Sequence, residues 1–293
     1  MLAAGADEQW AVSTDTLIEG VHFFSDVDPA ALGHKALAVS LSDLAACGAT
    51  PRCFFLALAL HRVDVPWLEQ FSSGLYALAD AHQCVLAGGD TTRAPDGVIV
   101  TITAMGTVPT GHALLRSGAR AGDDIWVSGE LGDAALGLAF RRGEIELPPS
   151  DAEHAVARLE RPTPRVRLGE RLRVIASSAI DISDGLLGDL RHVARASAVG
   201  ATIEWPNVPR SQVLRRQSTP MQQRCALAGG DDYELLFSAA PARRADIIRA
   251  AAGECALTRI GTVTATGDLA VLDDRGARVD TGTRAYDHFR PAG

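Results

Sequence analysis

Five short motifs, each carrying one or two aspartates, are the parts of this chain that could do chemistry. They are STDT (Asp15), LSDLAACG (Asp43), GGDTTR (Asp90), DISDGL (Asp181 and Asp184) and GGDDYEL (Asp231 and Asp232). Each acid lies within two residues of a Gly, Ser or Thr, at a predicted strand end or inside an apolar helix, whereas solvated surface acids usually lie among Lys and Glu. Carboxylates placed in this way are expected to meet in one place, and such a cluster is stable only around cations. The pattern therefore predicts bound Mg²⁺ and phosphate groups.

Asp43 is the most unusual of these acids. It lies in KALAVSLSDLAACG, a predicted helix that is otherwise nearly all apolar. An ionised carboxylate buried there without a partner would cost several kcal/mol. Two interpretations are open, a hydrogen bond between helices or a metal ligand at the base of a pocket, to which Ser40 and Ser42 could add oxygens. We prefer the metal ligand.

The two other motifs in the first half of the chain offer oxygen ligands and backbone N–H groups. In STDT, Ser13, Thr14 and Asp15 end a predicted strand, where the ligand sites of α/β proteins gather, and their oxygens suit Mg²⁺. In GGDTTR, Gly89 directly precedes Asp90 and lets the backbone approach a ligand closely. Taken alone, each motif is also consistent with an ordinary turn.

The motifs of the second half place acids at a predicted helix start. In DISDGL, Asp181 and Asp184 span a strand end and the beginning of a helix, and a helix N-terminus favours phosphate. Ser183 or Asp184 can cap that helix, so a purely structural role for Asp184 stays open. Asp231 in GGDDYEL and Arg116 in LLRSGAR are candidates for ligand contacts, although a plain turn and a surface arginine also explain them.

His22 lies between apolar residues in EGVHFF. A lone histidine in such surroundings is usually a satisfied core group. This one follows Asp15 of STDT by seven residues. We therefore predict that it contacts a ligand.

Composition narrows the possible function classes. The chain has 293 residues and a formal net charge of −8, and an acidic protein repels nucleic-acid backbones. Lys35 is the only lysine and no GxxxxGK[ST] sequence occurs, so phosphoryl chemistry would rely on metal and arginine. The longest apolar run, Cys53–Leu60, is too short for a membrane span, and the N-terminus lacks a signal-peptide pattern. Five cysteines without a CxxC pair predict reduced core thiols in a cytoplasmic protein.

Strands and helices alternate throughout the sequence, so the predicted fold class is α/β (α+β). Strands are predicted over 10–14, 52–60, 84–87, 97–108, 124–128, 179–182, 201–205, 233–238, 257–263 and 269–273. Helices are predicted over 28–47, 64–82, 133–141, 151–160, 165–175, from about 183, and over 241–252. The pattern resets near Pro109-Thr110-Gly111, which divides the chain into domains 1–111 and 112–293.

The motifs, in their order along the chain, resemble those of the thiamine-monophosphate kinase family, within the larger group of aminoimidazole-ribonucleotide synthetase-like ATP enzymes. The matching segments are STDTLIEGVHF, KALAVSLSDLAACGA, GGDTTR, RSGARAGDDIWVSG, AIDISDGL, DYEL and YDHF. The resemblance implies ATP-dependent phosphorylation of thiamine monophosphate to thiamine diphosphate, the last step of thiamine diphosphate biosynthesis. It also implies a two-domain fold and a homodimer, in which mixed N-terminal sheets with helices pair across the interface and a C-terminal α/β domain covers the ATP.

The resemblance also implies roles for individual residues. Mg²⁺ ligands would be Ser13, Thr14, Asp15, Asp43, Asp90, Asp181 and Asp184. Contacts to ATP would come from Gly89, Asp90, Arg116 and Ser183. Contacts to thiamine monophosphate would come from His22 and Asp231. No side chain acts as a general base, since the acceptor is already an anionic phosphate oxygen.

The sequence departs from the family pattern in three places. The family usually has Glu where Asp231 stands and an aromatic residue near Thr283. It also carries a GDDAA-like motif shortly before its first strand, at the point where this sequence begins with MLAAGADEQW. Either the start is placed too late or one metal ligand has been lost, and we expect the former.

Two alternatives are a different ATP-using enzyme of the same fold and a catalytically impaired nucleotide-binding relative. Selenophosphate synthesis calls for a reactive cysteine and a lysine near the N-terminus, and none occurs before Lys35. Hydrogenase maturation calls for a C-terminal cysteine, whereas this sequence ends in YDHFRPAG. The sequence therefore favours the kinase.

Overall fold

The computed structural model describes residues 4–280, which form two compact units. The first unit takes the chain up to Ala113 and the segment Glu160–Arg173, and the second takes Leu114–Leu159 and the chain from Val174 onward. Each unit combines helices with a β-sheet, which confirms the predicted mixed α/β class. The predicted division at residue 111 lies beside the end of the first segment, whereas sequence analysis had assigned 160–173 to the second domain. Thr283 and the YDHF motif lie outside the described residues.

The strands and helices follow the predicted order, except that the structure adds two short helices that were not predicted, Gln212–Arg215 and Thr219–Gln223. The other main differences lie at the aspartate motifs. In chain order the elements are β1 (Glu8–Ile18), α1 (Pro29–Ala46), β2 (Thr50–Leu60), α2 (Val65–Ala81), β3 (Val85–Arg93), β4 (Val98–Pro109), β5 (Asp124–Ser128), α3 (Asp133–Arg141), α4 (Pro149–Glu160), α5 (Val166–Leu172), β6 (Ser178–Asp181), α6 (Leu186–Ser197), β7 (Gly200–Glu204), α7 (Gln212–Arg215), α8 (Thr219–Gln223), β8 (Leu235–Ala239), α9 (Arg244–Ala251), β9 (Leu257–Thr264) and β10 (Leu269–Leu272). A π-helical turn covers Arg224–Ala228.

The sheet of the first unit has the strand order β1-β4-β2-β3. β4 is antiparallel to both β1 and β2, and β3 is parallel to β2. β1 and β3 are therefore the two edges of this sheet. α1 packs across β1, β4 and β2.

α1 begins and ends as its sequence predicts. The Asp28 side chain accepts hydrogen bonds from the N–H groups of Ala30 and Ala31, and Pro29 occupies the first helical position. The helix ends at Ala46, and Gly48 follows with φ +66°. This precise start and stop sets which residues of α1 face the sheet.

Two strands are longer than predicted, and both extensions contain site motifs. The prediction that β1 ends at Asp15 is wrong, because Asp15 lies within the strand and pairs with Ile102 of β4. Hydrogen bonds between hydroxyl groups join β1 to β4 past the apolar residues of the sequence. Thr14 pairs with Thr103 and Thr16 pairs with Thr101, each at 2.9 Å. The predicted strand 84–87 is also too short, since Gly88, Gly89 and Asp90 belong to β3 as well.

The second unit contains a sheet of order β10-β7-β9-β5-β8-β6. β7 and β10 are parallel, and the other neighbouring strands are antiparallel. Apolar side chains of its strands and helices form the core, including Ile125, Val127, Leu136, Leu190, Ile203 and Leu236. β6 is an edge strand, and Asp181 is its last residue.

The segment 160–173 belongs to the first unit, where hydrogen bonds connect it to residues much earlier in the chain. Arg161 donates to the Asp28 carboxylate at 2.8 Å, and a ring nitrogen of His34 lies 2.8 Å from the Pro162 carbonyl oxygen. Further along, Thr50 donates to Glu170, with α5 lying against α1. These partners are more than one hundred residues apart in sequence, so local patterns carry no signal for them.

Across the described part of the chain, none of the helices combines the length and apolar character that crossing a bilayer requires. All five cysteines are free thiols. Cys53, Cys84 and Cys225 are buried as predicted, whereas Cys47 and Cys255 are only partly buried. The cytoplasmic location inferred from them stays a prediction.

Candidate active site

The first unit brings together two carboxylates that lie far apart in sequence. Asp15 extends from β1 and Asp43 from α1, and each is held by a serine. Ser40 Oγ donates to Asp15 Oδ2 at 2.9 Å, and Ser13 Oγ donates to Asp43 Oδ2. Ser13 Oγ also lies 3.5 Å from Asp15 Oδ2, so the four side chains form one cluster of oxygens.

The Asp15–Asp43 cluster carries unfavourable electrostatics in the absence of a cation. Burial, followed by the charge of Asp43, raises the pKa of Asp15 to about 6, although hydrogen bonds from Ser40 and Ser13 oppose this. A cation would relieve both effects. The donors are carboxylate and hydroxyl oxygens, which are the ligands that Mg²⁺ prefers. Within residues 4–280, however, no group of three or more His, Cys, Asp or Glu side chains is arranged to hold a metal ion.

Two predicted metal ligands lie elsewhere on the same sheet. The hydroxyl of Thr14 is bonded to Thr103, on the face of the sheet opposite the Asp15 side chain. Asp90 lies on β3, and two strands separate β3 from β1, which places it roughly 14 Å away at the usual strand spacing. Across the four strands, Gly89 lies in the same row of paired residues as Asp15. The side chain of the next residue, Asp90, therefore lies on the opposite face of the sheet. A single chain therefore does not bring Asp90 to the Asp15–Asp43 cluster.

Gly89 has a structural reason to be glycine. A Cβ atom at this position would lie 1.9 Å from the carbonyl oxygen of Leu56 on β2. The close approach of β3 to β2 thus requires glycine there, independently of any contact to ATP.

His22 lies in the turn that follows β1. Its Nδ1 accepts a hydrogen bond from the Ile18 N–H at 3.1 Å, and the side chain is half-buried. This bond fixes the orientation of the ring. Contact with a substrate stays a prediction.

The DISDGL segment of the second unit is organised by an acid that sequence analysis missed. Asp189 Oδ2 accepts hydrogen bonds from the N–H groups of Ser183 and Asp184, both at 3.1 Å. The predicted cap is therefore wrong: α6 begins at Leu186, and Gly185 precedes it without a side-chain cap. The N–H groups predicted to receive a phosphate are instead occupied by a carboxylate of the same chain.

The surroundings of Asp189 connect the predicted residues of the second unit. Burial, then the charge of Asp184, raises the pKa of Asp189 to about 7, and Arg116 is close enough to oppose the shift. Asp181 is buried at the end of β6. Asp181, Ser183, Asp184 and Arg116 thus belong to one region of the second unit. The signal for Asp189 was an acid inside the apolar stretch LLGDL, the same signal that marked Asp43.

We expect the stability of the protein to report the titration of Asp189. Because its pKa is raised on folding, its contribution favours the folded state fully below pH 4 and is lost as the pH rises to about 7. The loss amounts to at most about 4 kcal/mol. Asp189→Asn should remove this dependence of stability on pH. Measured without divalent ions, the Tm of the variant relative to that of the wild type should therefore rise between about pH 4 and pH 7. A Tm difference that stays constant across this window would contradict the assignment.

The GGDDYEL motif folds back onto the DISDGL segment. The Asp231 N–H donates to the Ser183 carbonyl at 2.9 Å, and the Tyr233 N–H donates to the Ile182 carbonyl at 2.8 Å. Asp231 and Tyr233 have φ angles of +68° and +50°, which cost roughly 1–2 kcal/mol each in L residues. Strained residues of this kind persist only where the surrounding structure holds them, often at functional sites.

Comparison with known proteins places this arrangement in a class. The model of the AIR synthase related protein, N-terminal domain, matches residues 1–108, and that of the AIR synthase related protein, C-terminal domain, matches residues 120–274. The two domains and their acid motifs therefore define an AIR synthase related protein.

Individual relatives narrow the class further. The thiamine-monophosphate kinase of Salmonella typhimurium is 45% identical over 283 residues, which cover 95% of this chain and 86% of the relative. The crystal structure of thiamine-monophosphate kinase from Stenotrophomonas maltophilia K279a matches with a TM-score of 0.89 and 45% identity, covering 95% of this chain and 89% of that one. AaThiL complexed with AMPPCP and TMP matches with a TM-score of 0.85 and 29% identity, covering 98% and 89%. The chain belongs to the thiamine-monophosphate kinase family.

Proposed function

We propose that this chain transfers the γ-phosphoryl group of ATP to the phosphate of thiamine monophosphate, giving thiamine diphosphate and ADP. The observation that carries the proposal is the half-buried pair of Asp15 and Asp43, held by Ser40 and Ser13 in a chain without a P-loop. The family membership agrees with it, and the AaThiL relative was studied with AMPPCP, an ATP analogue, together with TMP.

The chemistry requires charge neutralisation more than acid–base catalysis. An oxygen of the acceptor phosphate attacks the γ-phosphorus, and the bond from that phosphorus to the β,γ-bridging oxygen breaks, so ADP leaves with the electron pair. The attacking oxygen is already anionic and needs no strong base. Positioning of the two phosphates and stabilisation of their charge supply the catalysis.

The acids of this chain fit Mg²⁺ as the counterion. Ser13, Asp15 and Asp43 would hold it in the first unit, since these oxygens already converge and a cation would relieve the burial and repulsion that raise the pKa of Asp15. Asp181 and Asp184 would hold it in the second unit. Held by these residues, Mg²⁺ would shield the repulsion between donor and acceptor phosphates.

Other side chains would orient the substrates. Gly89, Asp90, Arg116 and Ser183 are proposed to contact ATP. His22 and Asp231 are proposed to contact thiamine monophosphate. Arg116 is exposed and lies near Asp189, which supports its availability to a phosphate.

We propose that the protein is a homodimer formed through the sheet of the first unit. The face opposite the Asp15 side chain carries Val12, 57% exposed, and Ile18, 38% exposed. Met105 and Ile99 are their cross-strand partners on the same face. An apolar sheet face with unpaired strand edges is unfavourable when exposed to water, and a second copy of the chain would cover it.

Such a dimer would also give Asp90 a place in the site. Asp90 and Asp15 lie on opposite edges of the sheet. When two copies pack these faces about a two-fold axis, the β3 edge of one chain can approach the β1 edge of the other. Asp90 of the partner subunit would then lie at the β1 edge beside Thr14, close to the cluster of Asp15 and Asp43.

Product analysis with a panel of acceptors tests the proposed function. The protein is incubated with ATP and Mg²⁺, and separately with thiamine monophosphate, thiamine or formylglycinamidine ribonucleotide as acceptor. Thiamine diphosphate and ADP should form only with the first. ADP formation with the ribonucleotide alone would favour another enzyme of the same fold, and nucleotide binding without any product would favour the non-catalytic alternative.

A further inference from the structure

Asp232 is a buried acid of the GGDDYEL motif that has no assigned ligand. Its side chain is only 2% exposed, and both carboxylate oxygens accept a hydrogen bond from the Gly132 N–H, each at 2.9 Å. Gly132 is the N-cap of α3, with φ +92° and no side chain to cap the helix itself. A Cβ atom there would lie 2.7 Å from the Ala226 nitrogen. The Asp232 side chain thus connects its own loop to the start of α3, where the backbone of Gly132 is closely packed.

The residues on either side of Asp232, Asp231 and Tyr233, both have left-handed backbone conformations. Asp231 and Tyr233 adopt conformations that L residues avoid, so bonds from outside the loop must hold them. The carboxylate of Asp232 is the side-chain anchor between them. Releasing it would let both residues relax towards ordinary backbone conformations.

The strained conformation has a consequence for the proposed site. It directs the N–H groups of Asp231 and Tyr233 to the carbonyl oxygens of Ser183 and Ile182. It also lets the Tyr233 hydroxyl donate to Asp231 Oδ1 at 3.2 Å, which orients the Asp231 side chain. The position of Asp231 and that of the DISDGL segment are therefore coupled through one loop.

We propose that Asp232 is a positioning residue: by fixing the strained loop to the start of α3, it sets the place of Asp231 and Ser183 relative to their ligands. This rests on the proposed function, in which Asp231 contacts thiamine monophosphate and Ser183 contacts ATP. The competing explanation is that Asp232 only stabilises the fold.

Asp133 provides a matched control. It is 1% exposed, it is the first residue of α3 next to Gly132, and its carboxylate bonds Ser211 at 2.7 Å and His154 at 2.8 Å. Neither partner belongs to the strained loop. Asp133→Ala therefore removes a buried carboxylate next to Gly132, as Asp232→Ala does, without removing a bond to the loop of Asp231 and Tyr233.

Kinetics of the full-length variants separate the two explanations. Asp232→Ala should lower kcat/KM for thiamine monophosphate roughly 10- to 100-fold, as expected for a misplaced substrate contact, at a temperature where circular dichroism shows the folded protein. Asp133→Ala should change it less than about 3-fold even where it lowers Tm as much. Equal effects of the two substitutions on kcat/KM would overturn the proposal. Should Asp232→Ala fail to fold, Tyr233→Phe tests the hydrogen bond that orients Asp231, and an unchanged KM for thiamine monophosphate would overturn the proposal.

Hydrogen exchange provides a readout that does not depend on turnover. The amides of Asp231 and Tyr233 should exchange at least about tenfold faster in Asp232→Ala than in the wild type, and at the wild-type rate in Asp133→Ala. Unchanged exchange in Asp232→Ala would overturn the anchoring role. If the wild type does not phosphorylate thiamine monophosphate, the proposed function fails, while the exchange result still decides whether Asp232 anchors the loop.

Discussion

Asp43→Asn is expected to lower kcat roughly 10²–10³-fold, the loss typical of removing one group that stabilises transition-state charge. The carboxylates of Asp43 and Asp15 lie next to each other in one cluster. This cluster would bind Mg²⁺ between the two phosphates. Asparagine keeps the shape of the side chain and one oxygen but removes the charge. The variant should also need more Mg²⁺ to reach its residual maximum, which a titration of rate against Mg²⁺ concentration measures.

The same substitution should leave the fold intact and make it more stable without metal. The charge of Asp43 contributes to the raised pKa of Asp15, so removing it relieves a repulsion that the folded chain otherwise carries. We expect a higher Tm than that of the wild type in the presence of a chelator at neutral pH. Asp80→Asn, the same change at an exposed position on α2, should alter neither rate nor Tm. Near-normal turnover of Asp43→Asn would contradict the metal assignment.

A heterodimer of Asp43→Asn and Asp90→Asn subunits should regain about half of the wild-type activity, although each homodimer is nearly inactive. If Asp90 of the partner subunit completes each site, one site of the heterodimer contains both substitutions and the other contains neither. Two affinity tags isolate the heterodimer after coexpression, and its steady-state rate gives the result.

A heterodimer of Asp15→Asn and Asp43→Asn subunits is the control for subunit mixing. These two acids belong to the same cluster within one chain, so each site keeps one substitution and the mixture should stay inactive. Activity of the Asp43–Asp90 heterodimer no higher than that of its parents would show that Asp90 does not act across subunits. Failure of the tagged chains to copurify would contradict the dimer itself.

The sequence predicted features that depend on neighbours along the chain. The Asp28-Pro29 start of α1 has a local cause, since the capping side chain and the proline act on the next few residues. The position of Asp43 inside an apolar helix was also predictable from the sequence, because it depends only on neighbouring residues along the chain. An unexplained acid in an apolar stretch predicted that Asp43 would meet other acids, and the structure does place it beside Asp15, while its role as a metal ligand stays a prediction.

Features that depend on strand order or on tertiary hydrogen bonds were not predictable. Nothing local reveals that β3 lies at the far edge of the sheet from β1, so Asp90 was expected beside Asp15. The predicted start of α6 at Ser183 failed because Gly185, with φ +103°, breaks the helical path and Asp189 occupies the N–H groups ahead of it. The partner of Asp232 is one hundred residues away, at Gly132.

The most direct test of the proposed kinase activity is to follow a stoichiometric mixture of ATP, thiamine monophosphate and Mg²⁺ by ³¹P NMR with catalytic amounts of the protein. Direct transfer predicts that the signals of ATP and thiamine monophosphate decline together while those of ADP and thiamine diphosphate grow in equal amounts, without release of inorganic phosphate. ADP and inorganic phosphate appearing while thiamine monophosphate persists would contradict it.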